Sequence, residues 1–145
     1  MVRFMWPGWW LGLLVGAGSP VAAQANVLPP RVELKENYPN PFFPVTTIPF
    51  EISREVCARG HQPVVSLKIY NVLVQVVAIT TLGVRSSERV DSLRLRCGPY
   101  RAFWDGRYLD GKREASPGVY YYQLTVDGER FTRKMIAQKK ITSKK

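Results

Sequence analysis

The residues of this chain with chemistry to offer are a single histidine, His61, two cysteines, Cys57 and Cys97, and two aspartates, Asp105 and Asp110, flanking a glycine-containing loop. A nucleophile triad would have to be built on His61, since an imidazole is the usual base that takes the nucleophile's proton. His61 follows Arg59-Gly60, and nothing near it in sequence supplies the other two members, so it reads as a solvated loop histidine. One histidine excludes a histidine metal cluster, and two lone cysteines do not replace it. Asp105 and Asp110 carry the hard oxygens calcium takes, but Arg107 and Leu109 stand where a calcium loop needs further donors. Asp105-Gly106 and Asp110-Gly111 read instead as two turns. No glycine-rich loop follows a strand and opens a helix, so no phosphate cradle is expected. In Tyr120-Tyr121-Tyr122, alternation leaves only Tyr121 on an outer face, too little for a stacking platform. The chain reads as non-catalytic, with no cofactor.

What the cysteines do depends on the compartment. Arg3 precedes an uncharged run from Phe4 to Gly18, followed by the small residues of Val21-Ala22-Ala23-Gln24-Ala25. That is the pattern of a cleavable secretion signal over residues 1–25; cutting after Ala25 is favoured, with a cut after Ala23 the alternative. The run is interrupted by Pro7 and glycines and is shorter than the roughly 20 residues of a spanning helix, so no membrane span is expected after cleavage. In an oxidising compartment an even cysteine count points to a Cys57–Cys97 disulfide, with two buried free thiols as the alternative left open. Loss of Arg3 takes the formal charge of +10 down by one, and the mature chain stays strongly basic. A basic exported chain meets anionic lipid, polysaccharide or cell-wall polymer, which makes an anionic envelope polysaccharide a candidate partner. Its cations are scattered apart from Arg133-Lys134 and Lys139, Lys140, Lys144 and Lys145, which argues against nucleic-acid recognition.

The rest of the chain reads as short alternating segments. Residues 26–31 form a linker. In Thr47–Ile52, the side chains of Ile48, Phe50 and Ile52 share one face, and Pro49, having no N–H, places this strand at an edge or bulge. Val65, Leu67 and Ile69 define an inner face in Val64–Tyr70, and Gln75–Thr80 is its partner across the Asn71–Val74 turn. Leu93–Leu95 and Tyr100–Trp104 are shorter strands. Gly118–Val126 alternates clearly, with Tyr120, Tyr122, Leu124 and Val126 on one face, and Asp127-Gly128 suits a type I′ hairpin onto Phe131–Ala137. About seven antiparallel strands in one domain, residues 32–139, with a basic tail at 140–145, predict an all-β immunoglobulin-like sandwich; an open barrel is the alternative.

Asn37-Tyr38-Pro39-Asn40-Pro41-Phe42, followed by Thr46-Thr47-Ile48, resembles the entry motif of type IX secretion C-terminal sorting domains and of FlgD-like immunoglobulin-like domains. The similarity continues through Leu67-Lys68-Ile69-Tyr70-Asn71, Trp104-Asp105-Gly106-Arg107, Gly118-Val119-Tyr120 and Arg133-Lys134-Met135, covering about Val32 to Lys139. The resemblance implies a sorting or cell-surface attachment module, recognised by secretion or cell-surface machinery at its C-terminal end. A flagellar hook-cap scaffold is the alternative, disfavoured by the secretion signal. With the signal running almost directly into the domain, the chain reads as its own small cargo or as a truncated C-terminal piece of a larger secreted protein. Phe43, Val74 and Tyr108 depart from the family's usual asparagine, turn glycine and aspartate, and Pro117 is inserted before Gly118. A β-branched residue at the glycine position implies a different turn type at Asn71–Gln75. The segments Glu55–Gln62 and Arg85–Tyr100 are longer than the family's, and each carries one cysteine.

Overall fold

Alternation with a period of two produces two inner faces that have to be buried against each other. A computed structural model describes residues 30–140; the expected signal, residues 26–29 of the linker, and Lys144 and Lys145 lie outside the described residues. Nine strands run in chain order: β1 (Val32–Leu34), β2 (Thr46–Ile52), β3 (Val64–Tyr70), β4 (Val76–Ile79), β5 (Thr81–Leu82), β6 (Leu93–Arg94), β7 (Gly98–Trp104), β8 (Gly118–Val126) and β9 (Glu129–Ala137). One antiparallel sheet has the order β1-β2-β7-β5, the other β4-β3-β8-β9, with β6 sharing the free half of β3's edge. The expected immunoglobulin-like sandwich is the fold. Two strands beyond the expected seven, β1 and β5, are only 3 and 2 residues long and have no alternation long enough to read.

The core follows the alternation. Ile48, Phe50 and Ile52 of β2 face Val65, Leu67 and Ile69 of β3 and Tyr120, Tyr122, Leu124 and Val126 of β8, all buried. The β8–β9 hairpin closes through two residues, with Val126 opposite Glu129 and both Asp127 (φ 49°) and Gly128 (φ 86°) left-handed, as a type I′ turn requires.

One expectation is corrected. The strand carrying Pro49 is not at an edge: β2 lies between β1 and β7. Pro49 accepts a hydrogen bond from Lys35 N–H (3.0 Å) just past the end of β1, so the donor it lacks faces the Lys35 side and not β7. The Lys35 carbonyl that this donor would have served accepts from the Tyr122 hydroxyl instead (3.0 Å). The Asn71–Gln75 turn closes on Val74 and Asn71. Val74 takes the left-handed conformation itself (φ 60°), held by Val74 N–H donating to the Asn71 carbonyl and by Leu73 and Gln75 N–H donating to Asn71 Oδ1. A β-branched residue is strained there, so Val74→Gly is expected to stabilise the fold by about 0.5–1 kcal/mol, after glycine's larger unfolded-state entropy is set against the relief. A thermal melt a few degrees higher checks this; a lower one contradicts it.

The strands define two poles. At one lie the β8–β9 turn, the start of β3 and the end of β2; at the other lie the β3–β4 turn, the end of β7, the start of β8 and the C-terminal end of β9.

Candidate functional site

The N-terminal motif folds around the last strand. Asn40 Oδ1 accepts from Ile136 N–H (3.0 Å), Phe42 N–H donates to the Ile136 carbonyl (2.9 Å), and Gln138 N–H donates to the Phe42 carbonyl (2.9 Å), bridging Phe42 to Ala137. The buried Asn37 side chain donates to the Pro39 carbonyl (3.2 Å) and to Thr46 Oγ1 (3.0 Å), while Asn37 N–H donates to the Tyr122 hydroxyl (3.2 Å). The peptide bonds before Pro39, Pro41 and Pro44 are cis.

Behind this loop stands an aromatic stack. Phe42 and Trp104 have centroids 5.3 Å apart, and Trp104 and Tyr120 meet edge to face at 5.5 Å. Trp104 Nε1 donates to the Arg107 carbonyl (2.8 Å) and Asp105 Oδ1 accepts from Arg107 N–H (2.9 Å), so Trp104-Asp105-Gly106-Arg107 is a closed turn. Gly106 is left-handed (φ 76°), and a Cβ there would strike the Pro44 carbonyl, which explains glycine at this position. Tyr120's hydroxyl meets that of Tyr108 (3.1 Å) and the Ser116 carbonyl (3.0 Å), and burial pushes its phenol well above the ordinary tyrosine range. Burial also raises Tyr122. Gly118 opens β8 opposite Ala137, Met135 is buried opposite Tyr120, and Lys134 lies exposed opposite Tyr121.

The Asn37–Phe42, Trp104–Arg107, Gly118–Tyr120 and Arg133–Met135 blocks therefore meet at the C-terminal pole. Their buried members, Asn37, Phe42, Trp104, Tyr120 and Met135, build it; Lys134 faces outward beside Lys139 and Lys140. Tyr70 pairs with Tyr121 across β3 and β8, so the outer face carries two neighbouring tyrosines. They line an open groove of about 570 Å³ with Lys68, Gln123, Arg130 and Thr132. Tyr70 was legible as outward-facing from β3's own alternation; its pairing with Tyr121 was not.

Cys57 and Cys97 lie at the opposite pole, bonded to each other with Cα atoms 5.9 Å apart. His61 sits there too, its Nε2 2.7 Å from Asp127 Oδ2, while Asp127 Oδ1 accepts from Val64 N–H (2.9 Å). These two bonds, His61's the larger, hold the Asp127 carboxyl below its usual range. Sequence reasoning missed the pair, whose members are 66 residues apart. Asp110 accepts from Lys112 and Arg113 N–H and pairs with the Arg113 guanidinium at 2.6 Å, which draws its pKa down to about 2. Both aspartates of the loop thus spend oxygens on their own turns. Among the described residues no three histidine, cysteine or acidic side chains gather as a metal site, and no helix is long and apolar enough to cross a membrane.

Set against protein-family models, curated proteins and solved structures, the chain matches none.

Proposed function

We propose that the chain is an exported, non-catalytic immunoglobulin-like module that acts as an address or docking domain, with its C-terminal pole as the contact end. The observation that carries the reading is the convergence of the Asn37–Phe42, Trp104–Arg107, Gly118–Tyr120 and Arg133–Met135 blocks on that pole. Sequence signals far apart in the chain are spent on fixing the C-terminal strand and presenting Lys134, Lys139 and Lys140 beside it. The exposed Lys134, Lys139 and Lys140 favour an anionic or acidic partner and speed its encounter. The reading resembles type IX sorting domains, whose recognised end is C-terminal, and it names secretion or cell-surface machinery as the partner. The disulfide is compatible with export.

The export half of the proposal is tested on the protein from its native host. Intact mass is expected to give a mature start at Gln24 or Asn26, and the chain is expected in the envelope or medium. A mature protein that retains Trp9 and Trp10 and stays in the cytoplasm overturns it.

A further inference from the structure

The β3–β4 turn places Val72, Leu73 and Val74 at the C-terminal pole with 63%, 72% and 79% of their surfaces exposed. Single exposed apolar residues need no explanation, but three in succession at the tip of a turn do. Val76 and Leu109, also exposed, extend the patch, with Leu109 N–H donating to the Val77 carbonyl beside it (2.8 Å). Burial does not account for the tip, because all three side chains are largely exposed. Nor does turn chemistry, because Val74 occupies a left-handed conformation that glycine would adopt without strain.

Two of the three N–H groups of this tip, those of Leu73 and Val74, are already satisfied from within. Leu73 and Gln75 N–H donate to Asn71 Oδ1 (3.0 Å each), and Val74 N–H donates to the Asn71 carbonyl (3.0 Å). Asn71 N–H returns a bond to the Gln75 carbonyl (3.1 Å), and Asn71 Nδ2 donates to Gln75 Oε1 (2.9 Å). A medium without hydrogen-bond partners penalises every unpaired N–H, and those of Leu73 and Val74 would enter it paired. The three tip residues are aliphatic, and Val74 also lines the groove shared by Tyr70, Tyr121 and Arg130.

Cations surround it. Tyr70, Tyr121 and Lys134 stand in one row across β3, β8 and β9, which places Lys134 about 10 Å from the base of the turn at ordinary strand spacing. Arg113 lines the same cleft as Asn71, Gln75 and Val76, with Lys112 next to it, and Lys139 and Lys140 follow β9. Asp105, Asp110 and Glu114 are the nearby acids, and Asp110 is committed to Arg113. Lys112, Lys134, Lys139 and Lys140 form no ion pair among the described residues.

We propose that Val72-Leu73-Val74 is an insertion tip that docks the C-terminal pole on an anionic lipid bilayer, with the flanking lysines on the headgroups. The proposal names a contact for the docking end argued above and rests on that reading only for the choice of pole; it is measured on purified protein, so its outcome is independent of delivery in cells. The processed chain is mixed with phosphatidylglycerol vesicles and, separately, with phosphatidylcholine vesicles, and partition is read by sedimentation. Anionic vesicles are expected to bind it, with zwitterionic ones at least tenfold weaker. Val72→Ser, Leu73→Ser and Val74→Gly together are expected to lower binding by roughly tenfold to a hundredfold with no loss of melting temperature. Lys134→Gln, Lys139→Gln and Lys140→Gln are each expected to cost about fivefold. A Leu73→Trp chain is expected to shift its emission to the blue on anionic vesicles and to be quenched by acyl-chain-brominated lipid. Failure of the unaltered chain to bind overturns the proposal. So does equal binding by the tip variant, an unmoved Leu73→Trp spectrum, or binding that appears only when envelope proteins are reconstituted into the vesicles, which would assign the tip to a protein partner.

Discussion

Trp104→Ala is expected to destabilise the domain by about 3–5 kcal/mol, among the largest losses any single substitution would cause. Trp104 is 2% exposed and stands between Phe42 and Tyr120, so its removal leaves a cavity walled by two rings that are each held by their own backbone, Phe42 by its bonds to β9 and Tyr120 by its place in β8. It also removes the indole donor to the Arg107 carbonyl, loosening the turn that holds Gly106 against Pro44. Trp104→Phe separates these effects, since it fills most of the volume but lacks the donor, and its cost is expected to be well below that of alanine. Urea titration with linear extrapolation measures both. An alanine loss under about 1 kcal/mol would mean that the aromatic stack does not hold the pole together.

Replacing both cysteines with alanine is expected to cost about 4 kcal/mol. The bond joins residues separated by 40 positions, and closing a loop of that size in the unfolded chain removes entropy of this magnitude. The native side adds little, because Cys57 and Cys97 flank the Ile52–Gly98 end of the β2–β7 ladder, which already brings the two backbones together. Stability of the double variant, compared with that of the reduced native chain, checks the figure; a difference between those two would point to the substitutions and not to the lost crosslink. A double variant as stable as the oxidised chain contradicts it.

How much could be read from the residues differs from element to element. β3 and β8 were legible because 7 and 9 residues of strict alternation leave one solution for the inner face. β1 and β5 were not, because they are strands only by virtue of pairing with β2 and β7. Pro49 illustrates a local rule overridden by tertiary structure: the missing donor faced a position where a tyrosine from the other sheet supplied the replacement. Val74 is a residue whose left-handed conformation its β-branched side chain does not announce. Each block around the C-terminal pole was visible separately, but that Asn40 and Phe42 bond to the last strand, 96 residues beyond Asn40 in the case of Ile136, is a fact of topology. The exposed Val72–Val74 tip lay within a segment read only as a turn.

The proposed docking end lies at one pole of the sandwich and a covalent clamp at the other. A truncation at Gly128 would be a poor test of that division, since it removes β9 with its buried Met135 and Ala137 and so removes the fold. The direct measurement keeps the domain intact. Residues 32–145 are appended to a signal-bearing reporter in a host competent for type IX secretion. One version is unaltered, one carries glutamine at Lys134, Lys139, Lys140, Lys144 and Lys145, and one carries glutamine at Arg59 and Arg94 near the disulfide. Surface delivery is expected for the first and third and is expected to be lost in the second. Periplasmic retention of all three, or equal delivery by all three, would contradict an address at the C-terminal pole.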